Sequence, residues 1–137
     1  MSNPDSPLPN YLYKLIPSNA APPDPLPEEL QLSELDQESG FIHLSTATQV
    51  PGTVKRFFAD EERVFILKIP FEPVKENIRW ESPDAKVCGP RPGEGLFPHL
   101  YDGKLGKDEV ERVVTLQRGI SEWDNIMEEA KTTWLTY

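Results

Sequence analysis

The sequence predicts a small α+β domain: a compact mixed or antiparallel split sheet with one or two flanking helices. Three observations lead there. Short runs of β-branched and aromatic residues recur along the chain, each closed by proline or glycine. A single internal stretch, residues 49–59, has helical rather than alternating apolar spacing, and no internal repeat or heptad run appears. The 137 residues amount to one domain, long enough to bury about two-thirds of the surface the unfolded chain exposes.

The elements follow in order. Met1 to Asn10 is polar and proline-rich and reads as a disordered leader. Tyr11 to Ile16 (YLYKLI) is a strand stopped by Pro17. The prolines of residues 17–27 exclude helix and central strand, which leaves an extended surface segment, with room for one helical turn at Pro27 to Leu30. The polar run LSELDQESG then ends at Gly40. Phe41 to Leu44 is a strand, and Ser45 and Thr46 are helix-cap residues before a helix over 49–59, where Val50, Val54, Phe57 and Phe58 share a face.

Val64 to Ile69 (VFILKI) is the strongest strand signal, and Ile78 to Glu81 (IRWE) is a shorter one. Residues 82–95, with three prolines and three glycines, read as a long mobile loop. Leu96 to Tyr101 and Val110 to Leu116 complete the sheet. From Ser121 the spacing of Ile120, Trp123, Met127, Ala130 and Trp134 predicts a C-terminal helix, an extension over 119–137 that either packs on the domain or contacts a protein partner.

Composition excludes several classes. No apolar run approaches the roughly twenty residues of a membrane span, and the first thirty residues carry no basic-then-apolar signal pattern, so a cytoplasmic location is expected. One cysteine, Cys88, supports neither an internal disulfide nor a cysteine-based zinc site. The net charge of -9 argues against DNA, RNA and anionic membranes as partners. The acidity is uneven, however. Residues 1–40 hold seven acids and one base, whereas acids and bases nearly balance through the central eighty residues, so a pocket there need not repel a small anion.

The two histidines hold the most informative positions. In FIHLST, alternation sets Phe41, His43 and Ser45 on one face, and in FPHLY it sets His99 with Phe97 and Tyr101. The pattern of each is a histidine between an aromatic ring and a hydroxyl, which points to a shared pocket using Ser45, Thr46 and Tyr101. Glu81 and Trp80 point to opposite faces, so one of them meets that pocket: Glu81 as a general base or hydroxyl acceptor, Trp80 as a ligand contact. Arg91 offers a planar donor fork for a phosphate. Neither HExxH nor a glycine-rich phosphate loop is present, so no metal site and no Rossmann or P-loop site is expected.

Gly40 to Thr46 (GFIHLST), Gln49-Val50, Thr53, Phe57-Phe58, Arg79 to Glu81 and Phe97 to Tyr101 together resemble the family called domain of unknown function 952, from about Tyr11 to Leu116. That resemblance implies a fold related to the ADP-ribosyltransferases and to the RNA 2'-phosphotransferases that consume NAD. It implies a cleft between two sheet halves, His43 as a ligand-orienting histidine, and the 97–101 strand lining the same cleft. The proline-rich residues 17–27 depart from the family, replacing the helix expected after the first strand.

Three readings follow. The first is an NAD or ADP-ribose site with transferase or glycohydrolase chemistry, with His43, Glu81 and His99 catalytic, Ser45, Thr46, Trp80, Arg91 and Tyr101 binding, and loop 82–95 as a lid. The second is a non-catalytic site for a small anion or metabolite. The third is an adaptor whose working surface is the acidic C-terminal helix with Trp123 and Trp134.

Overall fold

The computed structural model describes residues 8–119 and 122–137. Residues 1–7 of the leader predicted over 1–10, and Ile120 and Ser121 of the predicted C-terminal helix, lie outside the described residues.

Seven strands among the described residues form two antiparallel sheets. The first has the order β1 (Tyr11–Pro17), β3 (Arg63–Pro70), β7 (Arg112–Gln117), and the second the order β2 (Ile42–His43), β6 (Phe97–Leu100), β4 (Ile78–Glu81), β5 (Cys88–Gly89). A backbone bridge joins them: the Tyr13 and Ser45 N–H groups each donate to the other's carbonyl at 2.8 Å. The sheet is therefore split and antiparallel. Three α-helices flank it: α1 (Glu34–Ser39), α2 (Val50–Phe57) and α3 (Trp123–Lys131).

β3 is central in its sheet and apolar on both faces, which explains the unbroken run in VFILKI. Leu67 and Ile69 enter one core with Leu12, Trp80 and Leu100, while Val64 and Ile66 enter a second with Tyr13, Val50, Val54 and α3. Lys68, on the second face, keeps its ammonium over the Tyr11 ring at 4.1 Å. In α2, proline stands in the first turn, where its missing N–H costs no helical hydrogen bond.

Four expectations need correction. Pro27 to Leu30 forms no helical turn, because its backbone groups bond elsewhere: Leu30 N–H donates to the Leu105 carbonyl at 2.7 Å, and Lys107 N–H to the Pro27 carbonyl at 2.9 Å. Gly106 permits this approach, since a Cβ there would run into the Glu28 carbonyl. A helix forms instead at α1, in a polar segment with no apolar period. Its caps define it: Ser33 Oγ accepts from Asp36 N–H, and Gly40, at φ 82°, donates back to the Asp36 carbonyl. The third correction concerns loop 82–95, part of which is β5, paired to β4 through Trp80↔Gly89 and Glu81↔Cys88.

The fourth concerns the C-terminal segment, whose tryptophans belong to the core. Trp123 is 5% and Trp134 6% exposed; Trp123 Nε1–H donates to the Phe58 carbonyl at 3.0 Å. The Tyr13 hydroxyl donates to the Thr136 carbonyl at 2.6 Å and accepts from the Thr136 N–H at 3.0 Å. An adaptor surface built on Trp123 and Trp134 is not available, because packing against α2 and β1 has consumed them. No helix among the described residues is long and apolar enough to cross a membrane.

A candidate site of two carboxylate-anchored histidines

Antiparallel register brings the two histidine motifs together. His43 on β2 is directly opposite His99 on β6, which is in turn opposite Arg79 on β4, so the three side chains form one row on one face of the sheet. The imidazole centroids are 5.2 Å apart with the rings at 62°. Phe41 stacks on His99 at 4.1 Å and 22°, and also meets Tyr101 at 5.1 Å and His43 at 4.6 Å.

Each imidazole is held by its own carboxylate. Asp36, 2% exposed on α1, accepts at Oδ1 from His43 Nδ1 (2.8 Å) and from the His43 backbone N–H (3.2 Å). Its Oδ2 accepts from Lys14 Nζ (2.7 Å), which also donates to the His43 carbonyl (3.3 Å). Glu81 Oε1 accepts from His99 Nδ1 (2.9 Å) and from the Tyr101 hydroxyl (2.6 Å). Arg79 is exposed and lays its guanidinium over the Tyr101 ring at 4.1 Å.

The protonation states follow from this packing. Burial pushes Asp36 up, but the His43 hydrogen bond and the Lys14 ammonium outweigh it and hold the carboxyl below its ordinary range. Burial likewise raises Glu81, and the hydrogen bonds from Tyr101 and His99 reverse the sign. Burial lowers His99 despite the opposing bond to Glu81, which favours the neutral ring. The Tyr101 hydroxyl is pushed up to about 12 by burial and by the Glu81 carboxylate, and stays protonated. An ionised carboxylate only accepts, so the neutral His99 ring carries its proton on Nδ1 and its lone pair on Nε2, and the His43 Nδ1 likewise faces its carboxylate as the donor. No hydrogen bond from another described residue occupies either Nε2. The arrangement can accept a proton or a hydroxyl hydrogen at the part-exposed His43, from a ring locked in one orientation, with the buried His99 packed against it.

Of the predicted residues, His43, His99, Glu81 and Tyr101 are assembled here. Trp80 is not, because the pleat turns it away from Glu81 into the core against Phe71, with centroids 6.2 Å apart, so it is no ligand contact at this face. Ser45 and Thr46 are buried where the two sheets meet, and no hydrogen bond among the described residues joins either hydroxyl to an imidazole; Thr46 Oγ1 lies 3.0 Å from Thr48 Oγ1. Arg91 is on the chain leaving β5, the strand farthest from β2 in this sheet.

The expected cleft is also reorganised. A mainly apolar cavity of about 690 Å³ lies between β1, the proline-rich segment and α1, and it reaches Lys14 and Asp36 but neither imidazole. A second, about 570 Å³, is lined by Thr46, Gln49, Tyr137 and residues 92–95. Residues 92–95 of the predicted lid line that second cavity, and neither histidine does.

Sequence reasoning missed Asp36, Lys14 and Arg79 as members of the site. Ser33 and Gly40, three and four residues either side of Asp36, were the available signal, since they cap a helix whose one buried residue is an aspartate.

The fold and this site define a split-sheet α+β domain carrying two histidine–carboxylate couples. Residues 25–113 match the model of the family described as Protein of unknown function (DUF952), and the chain belongs to that family. It is similar to protein CC0527 from Caulobacter crescentus: the X-ray structure is 25% identical with a TM-score of 0.63, over 86% of this chain and 98% of that one. The solution NMR structure of CC0527 is 30% identical over 79% of this chain and 85% of that one, with a TM-score of 0.57. No curated protein matches the chain.

Proposed function

We propose that the paired-imidazole face binds an NAD-type nucleotide or its ADP-ribose portion, with transfer or hydrolysis at the ribosyl carbon as its chemistry. The resemblance to ADP-ribosyltransferases and RNA 2'-phosphotransferases motivates the ligand. The supporting observation is the pair of imidazoles 5.2 Å apart, each tied through Nδ1 to a carboxylate, because it locks both rings in place and leaves the part-exposed His43 with its Nε2 for a ligand. The His43 acceptor suits a ribose hydroxyl, and a locked ring adjacent to a hydroxyl is placed to act as general base. His43, with a side chain 25% exposed, is the direct contact, whereas Glu81 and Asp36 act by orienting the rings.

Titration calorimetry of NAD and ADP-ribose against the wild type and a His43→Ala, His99→Ala double mutant tests this. Binding by the wild type is expected, with loss in a double mutant that keeps its circular dichroism spectrum. Absence of wild-type binding to both probes sinks the nucleotide reading.

A second reading, recognition without turnover, draws on a separate observation. Glu81 Oε1 already accepts two hydrogen bonds and His99 is 1% exposed, so neither is well placed to exchange protons with a substrate. Binding of NAD without nicotinamide release at saturation would select it.

A further inference from the structure

Arg79 completes the row that begins at His43 and His99, and its state differs from that of its neighbours. Lys14, the other cation at this face, is bound to Asp36 at 2.7 Å. Arg79 is an exposed residue with no carboxylate within ion-pair distance among the described residues; its guanidinium lies over the Tyr101 ring at 4.1 Å, hydrogen-bonds the Tyr101 side chain and acts on the Glu81 carboxylate only at longer range. Glu81, the nearest acid in the arrangement, is occupied by His99 and Tyr101 at Oε1. A guanidinium laid on a ring holds in a fixed plane the edge donors that Tyr101 does not take, the geometry that matches two oxygens of a phosphoryl group.

Register sets the spacing. Arg79 is one strand from His99 and two from His43, about 5 and 10 Å at ordinary strand separation. The face thus presents the His43 acceptor at one end and a donor fork at the other, across the buried His99. That polarity fits a sugar whose hydroxyls give hydrogen bonds and whose phosphoryl group receives them, separated by the reach of one five-membered ring. An unphosphorylated sugar leaves the fork unused, and an inorganic anion leaves the His43 acceptor unused.

We infer that Arg79 is the phosphoryl-binding residue of the paired-histidine face, and that the ligand class is a ribosyl phosphate held by a hydroxyl at His43 Nε2 and by its phosphoryl oxygens at the guanidinium. This deepens the nucleotide reading and shares its site. It assigns the phosphate contact to Arg79 in place of Arg91.

The test compares each phosphorylated probe with its dephosphorylated partner, ribose 5-phosphate with ribose and AMP with adenosine, by calorimetry on the wild type, Arg79→Ala and Arg79→Lys. Wild type should prefer the phosphorylated member by about 10- to 100-fold, the range of a charge-assisted contact. Arg79→Ala should abolish that preference, and Arg79→Lys should restore only part of it, because an ammonium lacks the fork. His43→Ala should weaken AMP and adenosine by the same factor. A wild type that binds the phosphorylated probes no better than their partners, or an Arg79→Ala variant that keeps the preference, overturns the inference. A preserved preference in a wild type that fails to bind NAD overturns the NAD reading alone, while NAD binding unchanged in Arg79→Ala overturns the Arg79 assignment and leaves that reading standing.

Discussion

Replacing Asp36 by asparagine removes one charge and almost no volume, and it isolates the ion pair behind His43. The amide oxygen can still accept from His43 Nδ1 and from its backbone N–H, but the amide nitrogen then faces Lys14 Nζ, donor against donor, across what was a 2.7 Å bond. Lys14 is 15% exposed and Asp36 2%, so the ammonium is left with little water to replace its partner. Breaking a buried pair from one side costs about 3–5 kcal/mol, and the partial exposure of Lys14 brings the expectation to about 2–4 kcal/mol. At about 4 °C per kcal/mol for a chain of this length, the midpoint of thermal unfolding should fall by about 8–16 °C at pH 7. Adding Lys14→Met to Asp36→Asn removes the stranded charge, and the double variant should recover at least half of that loss. An Asp36→Asn protein that melts within about 2 °C of wild type, or a double variant as unstable as the single one, would refute the assignment of the cost to this pair.

The remaining expectations concern pH, a close approach and the C-terminal segment. His99 is shifted below its ordinary value of 6.5, so below that pH the unfolded chain binds more protons than the native one and stability falls on acidification; Asp36 and Glu81, also lowered, add a second loss below about pH 4.5. His99→Gln keeps a donor for Glu81 and should flatten thermal melts between pH 7 and 5 while retaining the steeper loss at lower pH; an unchanged slope in the upper window would contradict the buried neutral ring. Gly106→Ala should lower the urea midpoint by an amount equal to about 1–3 kcal/mol, because its Cβ meets the Glu28 backbone; Gly52→Ala, in α2 with open space around it, should raise the midpoint slightly. Equal effects of the two would remove the close-approach argument. Tyr13→Phe leaves the Thr136 carbonyl without its donor and the Thr136 N–H with only the Trp134 carbonyl, and should cost about 1–3 kcal/mol, with hydrogen exchange accelerating first around residues 134–137.

Local chemistry carried much of the fold. VFILKI reads as a doubly buried strand because every side chain on it has somewhere apolar to go, and IRWE matches β4 residue for residue. Prolines marked the irregular segment after β1, and the 3.6-residue period marked α2. Alternation also placed each histidine on the same face as its neighbouring aromatic ring, which the structure reproduces through Phe41 and Tyr101.

Every strand except β5, the main helix and the direction in which each histidine faces were legible in the sequence, because periodicity records which side of an element is buried. Only the tertiary structure decided which of those faces meet. The His43–His99 pair joins strands 56 residues apart, and the choice of Glu81 over Trp80 as the residue at that face depends on which side of β4 is covered. Asp36 entered from a short polar helix recognisable by its caps alone, and the tryptophans of α3 became core once α2 and β1 supplied the surface to cover them. Register and partner choice are settled by long-range pairing and by the burial it makes available, and neither leaves a period in the chain.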